Sequence, residues 1–217
     1  MKTKTFAVIG LGRFGSSVAQ TLAMMGHEVL AVDMSEERVQ DMSQVVTHAV
    51  IGDATDENFL KDIGIRNFDV VITAIGQQEQ SNVLVTMQAK ELGAKYVVAK
   101  ATSDIYGKIL EKIGADRVVY PERDMGERVA HNLVDNNILD YIELSADYSI
   151  IEFVAPAKMA GKTLKELDLR ARFGVTLVVI KRSGHINASP GADDKIEEND
   201  VLVLIGDNAS LEKFQRH

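Results

Sequence analysis

From residue 5 to residue 120 the chain repeats one pattern. A short apolar run rich in β-branched and aromatic residues is followed by a longer stretch in which apolar residues recur every three or four positions. The first signature is that of a buried strand, the second that of an amphipathic helix. Strands are predicted over residues 5–9, 28–32, 45–51, 69–75, 96–99 and 117–120, and helices over 16–26, 36–42, 56–62, 79–92 and 104–113. Asp56 is placed as an N-cap, and Gly26, Gly93 and Gly114 as C-terminal stops. Six strands with interleaved helices predict an α/β fold, a doubly wound parallel sheet in the order 3-2-1-4-5-6.

Past Pro121 the pattern changes. Residues 122–134 read as one more helix, with Met125, Val129, Leu133 and Val134 on one stripe. Such a helix either closes its own domain or crosses to a neighbouring copy. Asn136-Asn137 marks a break, and residues 138–144 read as short and extended. From residue 149 strands are predicted over 149–154, 175–180, 186–188 and 200–206, with Ser183-Gly184-His185 as a turn. Short helices are predicted over 162–167, with Thr163 as cap, and over 211–214. The expected domains are residues 1–121, a crossover helix and linker over 122–144, and a small α+β module over 145–217. A module of this size is marginal alone and gains stability by pairing.

The first strand runs directly into Gly10-Leu11-Gly12-Arg13-Phe14-Gly15. In a strand–turn–helix setting the first glycine makes the tight turn, the second lets backbone approach a phosphate, and the third lets helix pack on strand. Helix-start N–H groups and the helix dipole favour an anion there. The second strand ends at Asp33-Met34, with Asp33 23 positions after Gly10, near the roughly 20 expected for an acid that accepts from ribose hydroxyls. The set predicts a Rossmann-type adenine-nucleotide fold. The lysine that a P-loop requires after Gly15 is absent, which rejects that reading. Ligands of such sheets bind at the carboxyl ends of the strands, where Asp53-Ala54-Thr55, Ala74, Gly76 and Lys100 also fall. Asp53 suits an adenine or ribose contact, or a cap or turn. Lys100 suits a phosphate contact, or a solvated loop lysine.

Composition narrows the chemistry. The 217 residues contain no cysteine, which excludes disulfides, thiolate metal sites and a cysteine nucleophile. A net charge of −8 argues against broad nucleic-acid or anionic-membrane binding. No apolar run approaches a membrane span, and residues 1–4 lack the features of a signal peptide, so a cytoplasmic protein is expected. His27, His48, His131, His185 and His217 form no metal pattern. No Gly-x-Ser-x-Gly elbow occurs, and the tail is short for a dehydrogenase substrate domain. A nucleotide-binding sensor, not an enzyme, is the expectation.

Several stretches resemble the RCK (also called KTN) family. These are Ala7-Val8-Ile9-Gly10-Leu11-Gly12-Arg13-Phe14-Gly15, His48-Ala49-Val50-Ile51-Gly52-Asp53-Ala54-Thr55, Ile63-Gly64-Ile65-Arg66-Asn67-Phe68-Asp69 and Lys112-Ile113-Gly114-Ala115-Asp116-Arg117. Leu167-Asp168-Leu169-Arg170-Ala171-Arg172-Phe173-Gly174 resembles the family's C-terminal subdomain. The layout is similar to the gating subunit of a Ktr-type potassium uptake system. The related Trk regulator carries the pair twice, for which this chain is too short.

The resemblance implies a homo-oligomer of dimers assembled into an octameric ring beneath an integral-membrane potassium transporter, peripheral to the inner face of the plasma membrane, binding ATP or ADP. Gly12, Arg13 and Phe14 would line the phosphates, with Arg13 reaching the terminal phosphate bound by the neighbouring subunit. Asp33 would hold the ribose, Asp53 and Ala54 would meet the adenine, and Lys100 would approach a phosphate. Glu122 would help hold a divalent cation, Mg or Ca, between two nucleotides at a dimer interface; read alone, Glu122 is a first-turn helix residue favoured by the dipole. Cyclic di-AMP is the implied second ligand, at Leu164, Asp168, Leu169 and Arg170 and at Thr176, Leu177, Val178 and Pro190. Arg170 would pair a phosphate. Alternatives are an NAD/NADH sensor on the same fold, since Asp33 suits either ribose, and an NAD-dependent oxidoreductase with an interfacial substrate site.

Overall fold

The computed structural model describes residues 2–76, 78–134 and 137–216, apart from the side chains at positions 131, 132 and 134. The expected break at Asn136, the place of Val134 in the helical stripe, and His131 and His217 lie outside the described residues. The chain divides into two compact units after Arg123.

In the first unit, β1 (Thr5–Ile9), α1 (Arg13–Met24), β2 (Glu28–Asp33), α2 (Glu36–Met42), β3 (His48–Ile51), α3 (Glu57–Asp62), β4 (Val70–Thr73), α4 (Glu79–Glu91), β5 (Val97–Lys100), α5 (Asp104–Lys112) and β6 (Arg117–Val119) follow in order. The sheet runs β3-β2-β1-β4-β5-β6, as expected from the sequence. Every pairing is parallel, with Ala7 opposite Leu30 on one side and Val71 on the other. Both faces are buried, so the strands read as continuous apolar runs. Ala7, Ile9, Val32 and Val71 pack with Leu60 and Val85 on one face, and Val8, Val29, Ala31 and Ile72 pack with Ala19 and Val39 on the other.

Two boundaries in this unit start three residues away from the sequence reading. α1 starts at Arg13, three residues early, because the turn feeds straight into the helix. The third strand loses residues 45–47: the N–H groups of Val45 and Val46 donate to the Met42 carbonyl at 2.9 and 3.1 Å, and Val46 fills the core beneath the sheet.

A helix α6 (Pro121–Val134) spans the division. The second unit then contains β7 (Ile138–Ser145), β8 (Tyr148–Val154), α7 (Leu164–Leu167), α8 (Leu169–Phe173), β9 (Thr176–Arg182), β10 (His185–Asn187), β11 (Val201–Asp207) and α9 (Asn208–Gln215). Its sheet is antiparallel in the order β10-β9-β11-β8-β7. Residues 138–144, expected within a linker, form β7 and pair along β8, with Ile142 opposite Ile150. One sheet face is solvated and the other packs on the helices. That arrangement gives β8 and β11 a strict alternation with Ile151, Phe153, Leu202 and Leu204 inward against Phe173, Leu211 and Phe214. Thr163 and Glu166 form a reciprocal capping box at α7. α8 was not anticipated. It is five residues long and follows α7 through Asp168 in the left-handed conformation, φ 40°.

Candidate functional site

The glycine turn is built by close contacts. The Gly10 N–H donates to the Val32 carbonyl at 2.8 Å, tying the end of β1 to β2. Its φ is +95°, and a Cβ there would lie 2.9 Å from the Ala74 carbonyl group, so only glycine fits. A Cβ at Gly15 would collide with the Gly10 carbonyl oxygen, which is how α1 packs onto the turn. Above Gly12 the space is open: a Cβ would meet nothing within 4 Å. Among the described residues no side chain caps α1, and its first turn carries no acid. An unsatisfied helix start beside open space fits a phosphate group.

Asp33, at the end of β2, is engaged by the turn itself. Its Oδ2 accepts from the Leu11 N–H at 2.6 Å and from Arg38 Nη1 at 3.4 Å, and its Oδ1 accepts from the Ser35 N–H at 2.9 Å. The acid thus fixes the loop after β1 from the carboxyl end of β2. Met34 beside it is exposed. After β3, Asp53 Oδ1 accepts from the Thr55 hydroxyl at 2.7 Å and the Thr55 N–H at 2.9 Å. These bonds hold its carboxyl below the ordinary range. Asp53, which is exposed, therefore makes a turn. Ala54 is buried in the core on one face of the sheet, and Phe14 packs against the core on the other.

The ends of β4 and β5 are joined by a residue that the sequence reading missed. Asn82 on α4 is fully buried. Its Oδ1 accepts from the Ile75 N–H at 3.2 Å, and its Nδ2 donates to the Lys100 carbonyl at 3.0 Å. The segment 74–76 and the end of β5 are thereby held to one helix. An asparagine inside a helical run is read from sequence as a polar surface residue. Its position four residues after Gln78, inside the helix that follows the fourth strand, is the only signal.

The Lys100 side chain, 10% exposed, donates from Nζ to Glu122 Oε1 at 2.5 Å; the Glu122 side chain is 68% exposed. Gly76 leaves room for this ammonium, since a Cβ there would sit 3.3 Å from Nζ. The Lys100 hydrogen bond holds the Glu122 carboxyl below the usual range against a smaller push from burial, with Arg13 among the groups that lower it further. Arg13 itself is exposed. Gly10 to Gly15, Asp33, Gly76, Lys100 and Glu122 therefore meet at neighbouring strand ends around the β1/β4 switch point. Among the described residues no group of three carboxylates or histidines assembles a metal site. A cation at Glu122 would need further ligands from phosphates or from a second copy.

In the second unit Asp168, Arg170, Thr176 and Val178 are exposed, whereas Leu169 is buried in the core and Leu164 and Leu177 pack against it. Pro190 is half-buried in the loop after β10.

Comparison with known proteins agrees with this layout. The TrkA-N domain model matches residues 6–121, and the TrkA-C domain model matches residues 148–217. The chain is 48% identical over 213 residues to Ktr system potassium uptake protein C of Bacillus subtilis, covering 98% of this chain and 96% of that one. It is 48% identical over 215 residues to Ktr system potassium uptake protein A of the same organism, covering 99% and 97%. Among solved structures the GsuK channel bound to NAD superposes with a TM-score of 0.66 at 19% identity, over 97% of this chain and 38% of that one. That likeness concerns the fold.

Proposed function

This chain belongs to the TrkA-N/TrkA-C family, as a regulatory subunit of the Ktr potassium uptake type, and we propose that it gates its transporter partner by sensing ATP against ADP. The nucleotide would lie at the carboxyl edge of the parallel sheet. The observation that carries the reading is the convergence of the open glycine turn, Asp33, and the Lys100–Glu122 pair on adjoining strand ends. Backbone N–H groups at the start of α1 would take the phosphates, Asp33 the ribose, and Asp53 and the backbone at Ala54 the adenine. Thr55, Ala74 and Gly76 shape the floor.

ATP and ADP differ by one phosphoryl group, and a ligand shifts an equilibrium only by its differential affinity for the two states. Charge-assisted hydrogen bonds contribute roughly 1.5–3 kcal/mol each. One or two from Arg13 of a neighbouring copy would bias a subunit, and several subunits together would supply the roughly 5.5 kcal/mol that moves a population from 1:99 to 99:1. Two triphosphates near a dimer axis repel, and a divalent cation at Glu122 would offset that repulsion. We extend the reading to dimers assembled in an octameric ring on the cytoplasmic side, and to cyclic di-AMP at the exposed Asp168, Arg170, Thr176 and Val178 of the second unit. Among the described residues no helix is long and apolar enough to cross a membrane.

The test is potassium flux through the transporter subunit reconstituted with this protein in vesicles, as a function of ATP and ADP. Arg13→Ala is expected to abolish the ATP/ADP difference while ADP binding stays within about twofold, since only the terminal phosphate contact is lost. Unchanged ATP activation would overturn the assignment. An NAD(H) sensor is the second reading, compatible with the position of Asp33, whose carboxylate suits either ribose.

A further inference from the structure

Helix α4 carries a second amide that reaches a strand end. Gln88 stands six residues after Asn82, about 9 Å further along the helix axis. Its Nε2 donates to the Thr55 carbonyl at 3.3 Å. The orientation of the amide follows from its partner: a backbone carbonyl only accepts, so the nitrogen must face it.

The loop after β3 has few other ties. Its entry is fixed, because the Gly52 N–H donates to the Asp33 carbonyl at 3.0 Å and a Cβ on Gly52 would lie 2.2 Å from the Phe59 ring. Beyond that point the bonds turn inward. The Thr55 N–H and hydroxyl donate to Asp53 Oδ1, the Asp56 N–H donates to the Asp53 carbonyl at 3.2 Å, and the Asn58 N–H donates to Asp56 Oδ1 at 2.9 Å. Such local bonds give the turn its shape without setting where it stands against the sheet. The buried Ala54 methyl fixes its depth and not the direction of its polar groups. Among the described residues, the Gln88 bond is the one hydrogen bond that ties residues 53–56 to an element other than α3.

The other end of the amide is costly. Gln88 Oε1 is buried and accepts from none of the described residues. A buried acceptor without a donor lowers stability, so packing does not account for a glutamine here. A methionine would fill the same space without that cost. Departures from polar satisfaction concentrate at functional sites.

The base end of a nucleotide gives the bond a use. Under the proposed function adenine lies against Asp53 and the backbone at Ala54. Adenine and guanine share a shape and differ in polarity: where adenine carries an amine that donates, guanine carries an oxygen that accepts. The Asp53 carboxylate would accept from the first and repel the second. That discrimination needs the acceptor in place to within about half an ångström.

We propose that Gln88 is a positioning residue for base selectivity. By holding the Thr55 carbonyl it sets Asp53 and the Ala54 backbone against the edge of the base, and the site then selects adenine over guanine nucleotides. The inference rests on the nucleotide site proposed above, but not on ATP being told from ADP.

Calorimetric titration of the full chain with ADP and GDP tests it, since neither carries the terminal phosphate. The wild type is expected to bind ADP at least about tenfold more tightly than GDP. Gln88→Met keeps the length of the side chain and removes both polar atoms. It is expected to weaken ADP about tenfold, to leave GDP within about twofold, and to keep the urea midpoint of the wild type. Gln88→Lys returns a donor to the Thr55 carbonyl and is expected to keep the wild-type ratio of ADP to GDP affinity. Four results would each overturn the assignment of Gln88: a wild type that binds ADP and GDP equally, a wild-type ratio in Gln88→Met, loss of cooperative unfolding in that variant, or a Gln88→Lys variant as unselective as Gln88→Met. Failure of the wild type to bind ADP at all would overturn the nucleotide site itself, and the inference with it.

Discussion

Two ion pairs, one in each unit, bury one of their partners, and they do so in opposite ways. In the first unit the buried partner is the cation: Lys100 meets a mostly exposed Glu122 through a single bond. In the second it is the acid. Asp200 is 1% exposed and accepts from Arg182 Nε at 2.8 Å, from Arg182 Nη2 at 2.7 Å and from the Glu197 N–H at 2.7 Å. Arg182 is pinned further by Glu197 Oε1 and the Lys195 carbonyl. A partner that is exposed and singly bonded leaves at little cost. A buried charge with several bonds does not, because breaking the pair strands it away from water. Under the proposed function, the first arrangement would exchange partners when a phosphate or cation arrives. The second locks the loop 195–200 onto β9. The same residue chemistry thus makes a fastening in the second sheet and, under the proposed function, would serve as a switch in the first.

Breaking the fastening should have the largest effect on stability. Arg182→Ala leaves Asp200 buried beside one N–H, and a loss of about 3 kcal/mol in urea unfolding is expected, the lower end for a broken buried pair because Arg182 is partly solvated. Burial pushes the Asp200 carboxyl up, but Arg182 and the Glu197 N–H outweigh it and hold it below the ordinary 3.8. A depressed folded value contributes stability that is present above the unfolded pKa and is lost as pH falls through the folded one. The variant should therefore lose structure at a higher pH than the wild type in an acid titration followed by circular dichroism.

Asn82→Ala comes next, at about 2 kcal/mol, because it leaves the Ile75 N–H and the Lys100 carbonyl unpaired in the interior. Unlike Arg182→Ala it should also weaken nucleotide binding, measured by calorimetry, since the loop over Gly76 and the end of β5 lose their common anchor.

Glu122→Gln should be the mildest, within about 1 kcal/mol in unfolding, because the partner that changes is the exposed one and its amide oxygen still accepts from the buried Lys100. Its effect should appear only with ligand, as loss of the divalent-cation dependence of ATP binding. If it costs as much stability as Arg182→Ala, the contrast between switch and fastening fails.

What the sequence disclosed divides along the same line. The parallel sheet was legible because apolar runs, polar caps and glycine stops repeat in register, and because the turn has sterics at Gly10 and Gly15 that no other residue type meets. Val45 and Val46 misled because an apolar pair of which one member, Val46, enters the core is indistinguishable by pattern from the start of a strand. α8 was illegible because Leu169 and Phe173 are its only buried anchors and three of its residues are exposed. The Lys100–Glu122 pair joins residues 22 positions apart, and Asn82 acts through burial. Neither property is written in local periodicity.

The measurement that bears most directly on the central claim is a thermal-shift titration of the full chain with ATP, ADP, NAD⁺ and NADH, with and without Mg²⁺ or Ca²⁺. A ligand at about 100 times its dissociation constant adds roughly 2.7 kcal/mol. The account predicts the largest shift with ATP plus cation and a smaller one with ADP. Stabilisation by NAD⁺ or NADH alone would contradict it and assign Asp33 to a dinucleotide ribose.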